Sequence, residues 1–426
     1  MNAREKQQPT PNGENRRAPA PYGLLGEKLG HSYSPQIHER FGDYRYDLFE
    51  VPPQELGSFL QARRFRGLNV TIPYKRAVMP YLDVVDDRAA AIGAVNTLYF
   101  RDGQLHGTNT DYDGFLYLAD RAGISFDGRT VLIAGTGGAG RMVQKAAADR
   151  GAARVLVAGR RGPVRYEELP RLGGDIDLLV NATPLGTWPH NGSQAVDLAV
   201  LPHLKGVLDL VYNPAKTALL LQAEERGIPA ASGLAMLVAQ AAAAACCFTE
   251  RTDYPQQIEA IVHELERDAR NITLVGMPGS GKTTVGRALA EALSMTFVDS
   301  DEELAARCGC SAGQFLREHG EAAFRRLESR VLADLTAAHG QVIATGGGAV
   351  LRPENRRAMR QNGPVIFLRR PLEQLETAGR PLSSGREALE KMYKKRLPLY
   401  QSCSDFAIDN DGPLTATLAA VRAILR

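Results

Sequence analysis

The stretch Gly276-Met277-Pro278-Gly279-Ser280-Gly281-Lys282-Thr283-Thr284 fits the pattern G-x-x-x-x-G-K-[ST], and it constrains the fold more than any other part of the chain. Such a loop works where a buried strand hands over to a helix, because its backbone N–H groups must converge on phosphate oxygens at the helix N-terminus. The flanks supply that setting. Asn271-Ile272-Thr273-Leu274-Val275 reads as a buried strand, and Thr283 to Leu293 as an amphipathic helix. Gly279, Ser280, Gly281, Lys282, Thr283 and Thr284 are the candidate contacts to ATP phosphates. Lys282 adds a mobile positive charge, and Thr283 offers a hydroxyl to Mg²⁺. The loop begins only at Gly276 of a 426-residue chain, so most of the sequence precedes it.

That length predicts two or three domains. Hydrophobic residues make up 44% and charged residues 23%, enough for real cores. The 51 basic and 48 acidic residues leave a net charge of +3, which argues against a dedicated nucleic-acid binder. Five cysteines fit no disulfide framework, and Cys246-Cys247 and Cys308-Gly309-Cys310 lack zinc spacing. They read as reduced thiols in a cytoplasmic protein. No apolar run approaches a membrane span. Met1 to Ala20 is polar, carries Pro9, Pro11 and Pro19, and reads as a disordered tail rather than a secretory signal.

Tyr22 to Gly26, Tyr44 to Val51 and Gly67 to Ile72 read as strands, with Ser34 capping a helix that takes Pro35 at its first position. Asn96 to Phe100 and Gln104 to Gly107 flank the turn Arg101-Asp102-Gly103 and predict a hairpin. Thr130 to Ala134 is a buried strand leading into Gly135-Thr136-Gly137-Gly138-Ala139-Gly140 and a helix to about Arg150. Further strands at Arg154–Ala158, Asp177–Asn181 and Gly206–Val211 complete a Rossmann pattern. Beyond the phosphate loop, strands recur at 296–298, 341–344, 364–368 and 405–408, giving a five-stranded P-loop domain. The second Rossmann strand ends at Gly159-Arg160-Arg161, where an NAD enzyme would carry an acidic residue. Two arginines there favour the 2′-phosphate of NADP over a merely solvated basic loop.

Seven further segments stand in an order that resembles the shikimate dehydrogenases. They are Gly30-His31-Ser32-Tyr33-Ser34-Pro35, Asn69-Val70-Thr71-Ile72-Pro73-Tyr74-Lys75, Gly93-Ala94-Val95-Asn96-Thr97, Asn109-Thr110-Asp111, Asn181-Ala182-Thr183-Pro184-Leu185-Gly186, Tyr212-Asn213-Pro214, and Gly233-Leu234-Ala235-Met236-Leu237-Val238-Ala239-Gln240. The resemblance covers Tyr22 to Glu266. It implies NADPH-dependent reduction of 3-dehydroshikimate to shikimate. By motif, Ser32 and Ser34 would bind the substrate carboxylate, and Thr71, Asn96, Tyr212 and Gln240 would surround the polyol. Lys75 and Asp111 would form the catalytic pair, with Lys75 the acid–base. Gly135, Thr136, Gly137, Gly138, Ala139, Arg160, Arg161, Leu210 and Gly233 would hold NADP(H).

The rest of the chain, Asn271 to Arg426, resembles shikimate kinase. The matching segments are Phe297-Val298-Asp299-Ser300-Asp301, Gly320-Glu321-Ala322-Ala323-Phe324-Arg325, Thr345-Gly346-Gly347-Gly348, Arg380-Pro381-Leu382 and Arg396-Leu397-Pro398-Leu399-Tyr400. By that resemblance Asp301, Arg325, Gly347 and Arg396 would bind shikimate, the two arginines facing its carboxylate. Asp301 would orient the attacking hydroxyl, Lys282 would act in catalysis, Asp299 would join Thr283 at Mg²⁺, and Arg380 would sit on a lid over ATP.

The expected architecture is α/β throughout. Residues 21–110 and 232–268 would form a shikimate-binding domain, 111–231 a Rossmann NADP domain and 270–426 a P-loop kinase domain behind a tail at 1–20. Its ligands would be the small molecules 3-dehydroshikimate and shikimate with NADP(H), ATP and Mg²⁺. Two alternatives stay open: a dehydrogenase that also accepts quinate, and one half kept only as a binding or regulatory module. The oligomeric state is not legible from sequence.

Overall fold

The structure is a computed structural model that describes residues 21–30, 32–42, 44–375 and 386–425. The chain separates into two compact units. One takes the chain up to Thr110 together with Ala241–Pro255, and the other takes Asp111–Gln240 with Gln256–Arg426.

The first unit is built on a mixed sheet of six strands: β1 Tyr22–Gly26, β2 Tyr46–Glu50, β3 Gly67–Val70, β4 Val84–Val85, β5 Thr97–Arg101 and β6 Gln104–Thr108. They lie in the order β2-β1-β3-β5-β6-β4. β1 is buried along its whole length, as its apolar sequence requires. The β5–β6 hairpin turns through Asp102 and Gly103, both at positive φ (51° and 78°), the twist that a two-residue hairpin loop needs. Leu25, Leu68, Val70, Tyr74, Val95 and Leu98 form the core on one face. One boundary differs from expectation. Ser34 is the first residue of the helix Ser34–Phe41, so Tyr33 stands at the cap and no side chain caps it.

The second unit holds two parallel sheets. The first contains β7 Thr130–Ala134, β8 Arg154–Ala158, β9 Leu178–Asn181, β10 Gly206–Asp209 and β11 Ala230–Ser232, ordered β11-β10-β9-β7-β8. The second contains β12 Ile272–Val275, β13 Thr296–Asp299, β14 Gln341–Ala344, β15 Val365–Arg369 and β16 Phe406–Asp409, ordered β13-β14-β12-β15-β16. All neighbours in both sheets run parallel. Parallel strands need helical crossovers on both faces, so the inner strands β7, β9, β10, β12, β14 and β15 are mostly apolar and buried, while the edge strands are partly exposed. Each sheet puts a glycine-rich loop at the carboxyl end of an inner strand, β7 or β12, where ligands bind in open parallel sheets.

Candidate functional site

The phosphate loop runs from the end of β12 into the helix Lys282–Leu293. Gly279 and Gly281 take φ of 83° and 88°, a backbone that side chains resist and that turns successive N–H groups inward. The Lys282 ammonium is largely buried and donates to the Gly276 and Met277 carbonyls at 3.0 and 2.9 Å. Ser280 Oγ is fully buried and has no hydrogen-bond partner among the described residues. Thr283 and Thr284 stand in the first turn, both exposed.

Beside the loop, the ends of β13 and β14 bring in Asp299, Asp301 and the glycine triplet. Asp299 accepts from Thr283 Oγ1 at 2.8 Å, while its other oxygen caps the next helix by accepting from the Asp301 N–H at 3.0 Å. The hydroxyl and carboxylate are hard oxygen donors, a pair that suits Mg²⁺. Ser300 Oγ accepts from the Gly346 N–H at 3.0 Å. That bond ties the Asp299-Ser300-Asp301 turn to the glycine triplet after β14. The Gly347 carbonyl accepts from Arg396 Nη1 at 2.9 Å and from the Tyr400 hydroxyl at 2.6 Å. The space a Cβ would fill at Gly348 is taken by the Arg325 guanidinium, 2.4 Å away.

Arg325 follows the break at Gly320 (φ 79°, ψ 166°) inside the helix Ala312–Ala337. It donates to both oxygens of Glu328 through Nη1, at 3.0 and 2.8 Å, and its Nε has no hydrogen-bond partner among the described residues. Glu328 is 2% exposed. Burial raises its carboxyl above the usual range, with the Arg325 charge pulling the other way. Burial also pushes the Tyr400 hydroxyl up to about 12, so it stays a proton donor to Gly347. These groups line a cleft of about 620 Å³ that takes in Pro278, Lys282, Thr283, Asp299, Asp301, Arg325, Glu328, Gly347 and Arg396. Buried Arg396 and half-buried Arg325 thus share one cleft with the phosphate loop. Arg380 lies outside the described residues. Glu328, Ser300 and Tyr400 were not among the candidate residues, although Glu328 stands three residues after Arg325, one helical turn away on the same face.

The dinucleotide residues lie in the same unit. Gly135, Thr136 and Gly137 connect β7 to the helix Gly138–Asp149, which includes Ala139. Arg160 and Arg161 are exposed just beyond β8, and the Arg160 carbonyl accepts from Arg165 Nη1. Exposed guanidinium groups beside a glycine-rich helix start fit an anionic dinucleotide. Leu210 follows β10, and Gly233 donates its N–H to the Val211 carbonyl at 3.0 Å. Asp209, at the end of β10, is fully buried. It accepts from Asn181 Nδ2 (2.8 Å), the Val211 N–H (3.1 Å) and Thr217 Oγ1 (2.6 Å), and burial raises its carboxyl to about 6. Burial also raises the Tyr212 hydroxyl. Gln240 is buried and donates to the Leu237 carbonyl at 2.8 Å. Asp111 lies in the first turn of Thr110–Arg121. That helix meets the one bearing Gln240 at Gly114, where an added Cβ would stand 2.5 Å from the Met236 carbonyl.

The other candidates belong to the first unit. Ser34 donates its N–H to Ser32 Oγ at 3.2 Å. The Thr71 N–H donates to the Leu25 carbonyl at 2.9 Å, and the Lys75 carbonyl accepts from the Val95 N–H at 2.7 Å. Asn96 is buried, with Oδ1 accepting from the Thr110 N–H at 2.7 Å. Beneath them, His38 stacks on Tyr46 at 3.9 Å, and the Tyr46 hydroxyl donates to Asn69 at 2.8 Å. Burial lowers His38 to about 3, so this layer stays neutral.

Comparison with known proteins decides the family. Residues 24–98 match the family model for the shikimate dehydrogenase substrate binding domain, and residues 278–424 match the one for shikimate kinase. A shikimate dehydrogenase (NADP(+)) of Clostridium perfringens is 38% identical over 240 residues, 51% of this chain and 88% of that protein. The chain belongs to the shikimate dehydrogenase family. Another of its dehydrogenases, from Oleidesulfovibrio alaskensis, is 41% identical over 245 residues, covering 52% of this chain and 86% of the relative. Among solved structures, the shikimate 5-dehydrogenase of Thermus thermophilus, in complex with NADP(H) and shikimate, superposes with a TM-score of 0.52. It is 33% identical and covers 57% of this chain and 98% of that one. A chorismate mutase/shikimate 5-dehydrogenase fusion protein from Clostridium acetobutylicum gives 0.55 at 37% identity, covering 57% and 96%. Behind its shikimate dehydrogenase half the chain carries a shikimate kinase domain.

Proposed function

We propose that this chain catalyses two consecutive reactions. The first is reduction of 3-dehydroshikimate to shikimate with NADPH, and the second is phosphorylation of shikimate to shikimate 3-phosphate with ATP. The observation that carries the reading is the cleft that Arg325 and Arg396 line together with the P-loop, behind a shikimate dehydrogenase half. A carboxylated, hydroxylated ring fits cations at one end and a phosphate cradle at the other.

In the first reaction NADPH supplies hydride to the ketone carbon. Lys75 would stabilise the negative charge growing on the ketone oxygen and deliver the proton, with Asp111 holding the ammonium in place. Ser32 and Ser34 would fix the carboxylate, and Thr71, Asn96, Tyr212 and Gln240 the ring hydroxyls. The glycine loop from Gly135 to Ala139, with Leu210 and Gly233, would hold the dinucleotide. Arg160 and Arg161 would take its 2′-phosphate.

In the second reaction Arg325 and Arg396 would hold the carboxylate and Asp301 would orient the 3-hydroxyl and accept its proton. Gly279 to Thr284 would cradle the ATP phosphates, with Lys282 following the transferring charge and Arg380 on a lid. Mg²⁺, held by Thr283 and Asp299, would neutralise phosphate charge. The domains would be 21–110 with 232–268, 111–231, and 270–426, in a cytoplasmic protein.

Purified protein given 3-dehydroshikimate, NADPH and ATP–Mg²⁺ is expected to form shikimate and then its 3-phosphate. Lys75→Ala should abolish the first product and spare phosphorylation of added shikimate, and Lys282→Ala should do the reverse, each loss being about 100-fold or more. Formation of neither product by the unmodified chain would overturn the reading.

A further inference from the structure

The segment from Val211 to Thr217 carries Tyr212 and joins β10 to the helix Ala218–Glu225. Its first half is fixed inside the Rossmann portion. The Val211 N–H donates to Asp209, the Val211 carbonyl accepts from Gly233, and the Asn213 carbonyl accepts from the Trp188 N–H at 3.0 Å. Its second half turns to the kinase portion of the same compact unit. Pro214 has no N–H. The next two amides, Ala215 and Lys216, donate to Asn362 Oδ1 at 2.9 Å and to the Gln361 carbonyl at 2.8 Å. The Gln361 side chain accepts from Asn191 Nδ2 at 2.9 Å, in the loop that also carries Trp188. Arg360 lies near Glu224 and Glu225, at 3.4 and 3.7 Å.

Gln361 and Asn362 are well placed to act as a brace. They are 5% and 4% exposed. Asn362 is anchored on its own side, where its Nδ2 donates to the Thr336 carbonyl at 2.9 Å and its carbonyl accepts from the Asn271 N–H at 2.8 Å. Asn271 directly precedes β12, so the turn is pinned to the kinase sheet.

We propose that the kinase turn Gln361–Asn362 is a positioning element for the dehydrogenase, holding the segment that presents Tyr212 to its substrate. The proposal rests on the assignment of Tyr212 above. A hydrogen bond lost from such a brace leaves Tyr212 in place but lets its segment fluctuate, so the effect falls on binding of the polyol.

The test uses the full chain and steady-state oxidation of shikimate with NADP⁺, with kinase constants measured on the same samples. Asn362→Ala, which removes the acceptor of the Ala215 amide, is expected to raise the dehydrogenase KM for shikimate about 2- to 10-fold, the worth of one hydrogen bond, with kcat nearly unchanged, whereas Gln361→Ala keeps the backbone carbonyl that accepts from Lys216, loses only the bond from Asn191 Nδ2, and is expected to leave KM nearly unchanged. Unaltered kinase kcat in Gln361→Ala shows that its fold is intact. An unchanged KM in Asn362→Ala would overturn the proposal, and so would a KM in Gln361→Ala raised as far as in Asn362→Ala. Tyr212→Phe is the separate control. If it leaves KM unchanged, the assignment of Tyr212 fails, while a raised KM in Asn362→Ala would still support the brace.

Discussion

Asp209 shows what a single buried residue does to pH dependence. Its carboxyl is raised from the usual 3.8 to about 6 because burial penalises the charge more than three hydrogen-bond donors offset it. The neutral form is therefore favoured inside the fold. The stability this gives is fully present below about pH 3.8 and is lost as pH rises through about 6. Asp209→Asn can still accept from Asn181 and Val211, and its amide can donate to Thr217. It is expected to gain on the natural chain by up to about 3 kcal/mol between pH 4 and 7, seen as a pH-dependent difference in urea midpoint. A constant difference across that range would contradict the assignment. Asp209 was also invisible to pattern reading. It stood inside a run read as one strand, Gly206–Val211, with nothing to mark it as buried, and its partners come from 28 residues upstream and 8 downstream. Glu328 was hidden for a similar reason, since an acidic residue on a helix ordinarily faces solvent.

At the scale of elements, strands with strong local signals were legible. β7 and β8 run over the residues expected, and all five kinase strands were anticipated to within about two residues, the usual spread of boundary assignment. The two-residue β4 and the short β11 were not, because a bridge that brief has no periodicity to read. The crossing at Gly114 was equally silent, since a lone glycine in a helical pattern does not say what approaches it. Gly114→Ala would put a methyl 2.5 Å from the Met236 carbonyl. Backbone cannot yield there cheaply, so the helices bearing Asp111 and Gln240 must part. Dehydrogenase kcat/KM is expected to fall about 10-fold or more while kinase constants hold. Equal losses in both activities would point instead to general destabilisation.

For the whole molecule, two nucleotide-type folds share a chain, and the sequence made both recognisable through ordered motifs rather than any one residue. Contacts between them were not legible, because Gln361-Asn362-Gly363-Pro364 reads as an ordinary polar turn. That turn has a calorimetric consequence. Asn362 bonds at once to Ala215 in the Rossmann portion and to Asn271 and Thr336 in the kinase. Two parts joined by a few hydrogen bonds and weak ion pairs gain about 2–4 kcal/mol of coupling. Heating should therefore melt them in one endotherm, and Asn362→Ala should pull that endotherm into two. The fusion would then be more than a covalent convenience: each fold would lend the other its melting temperature.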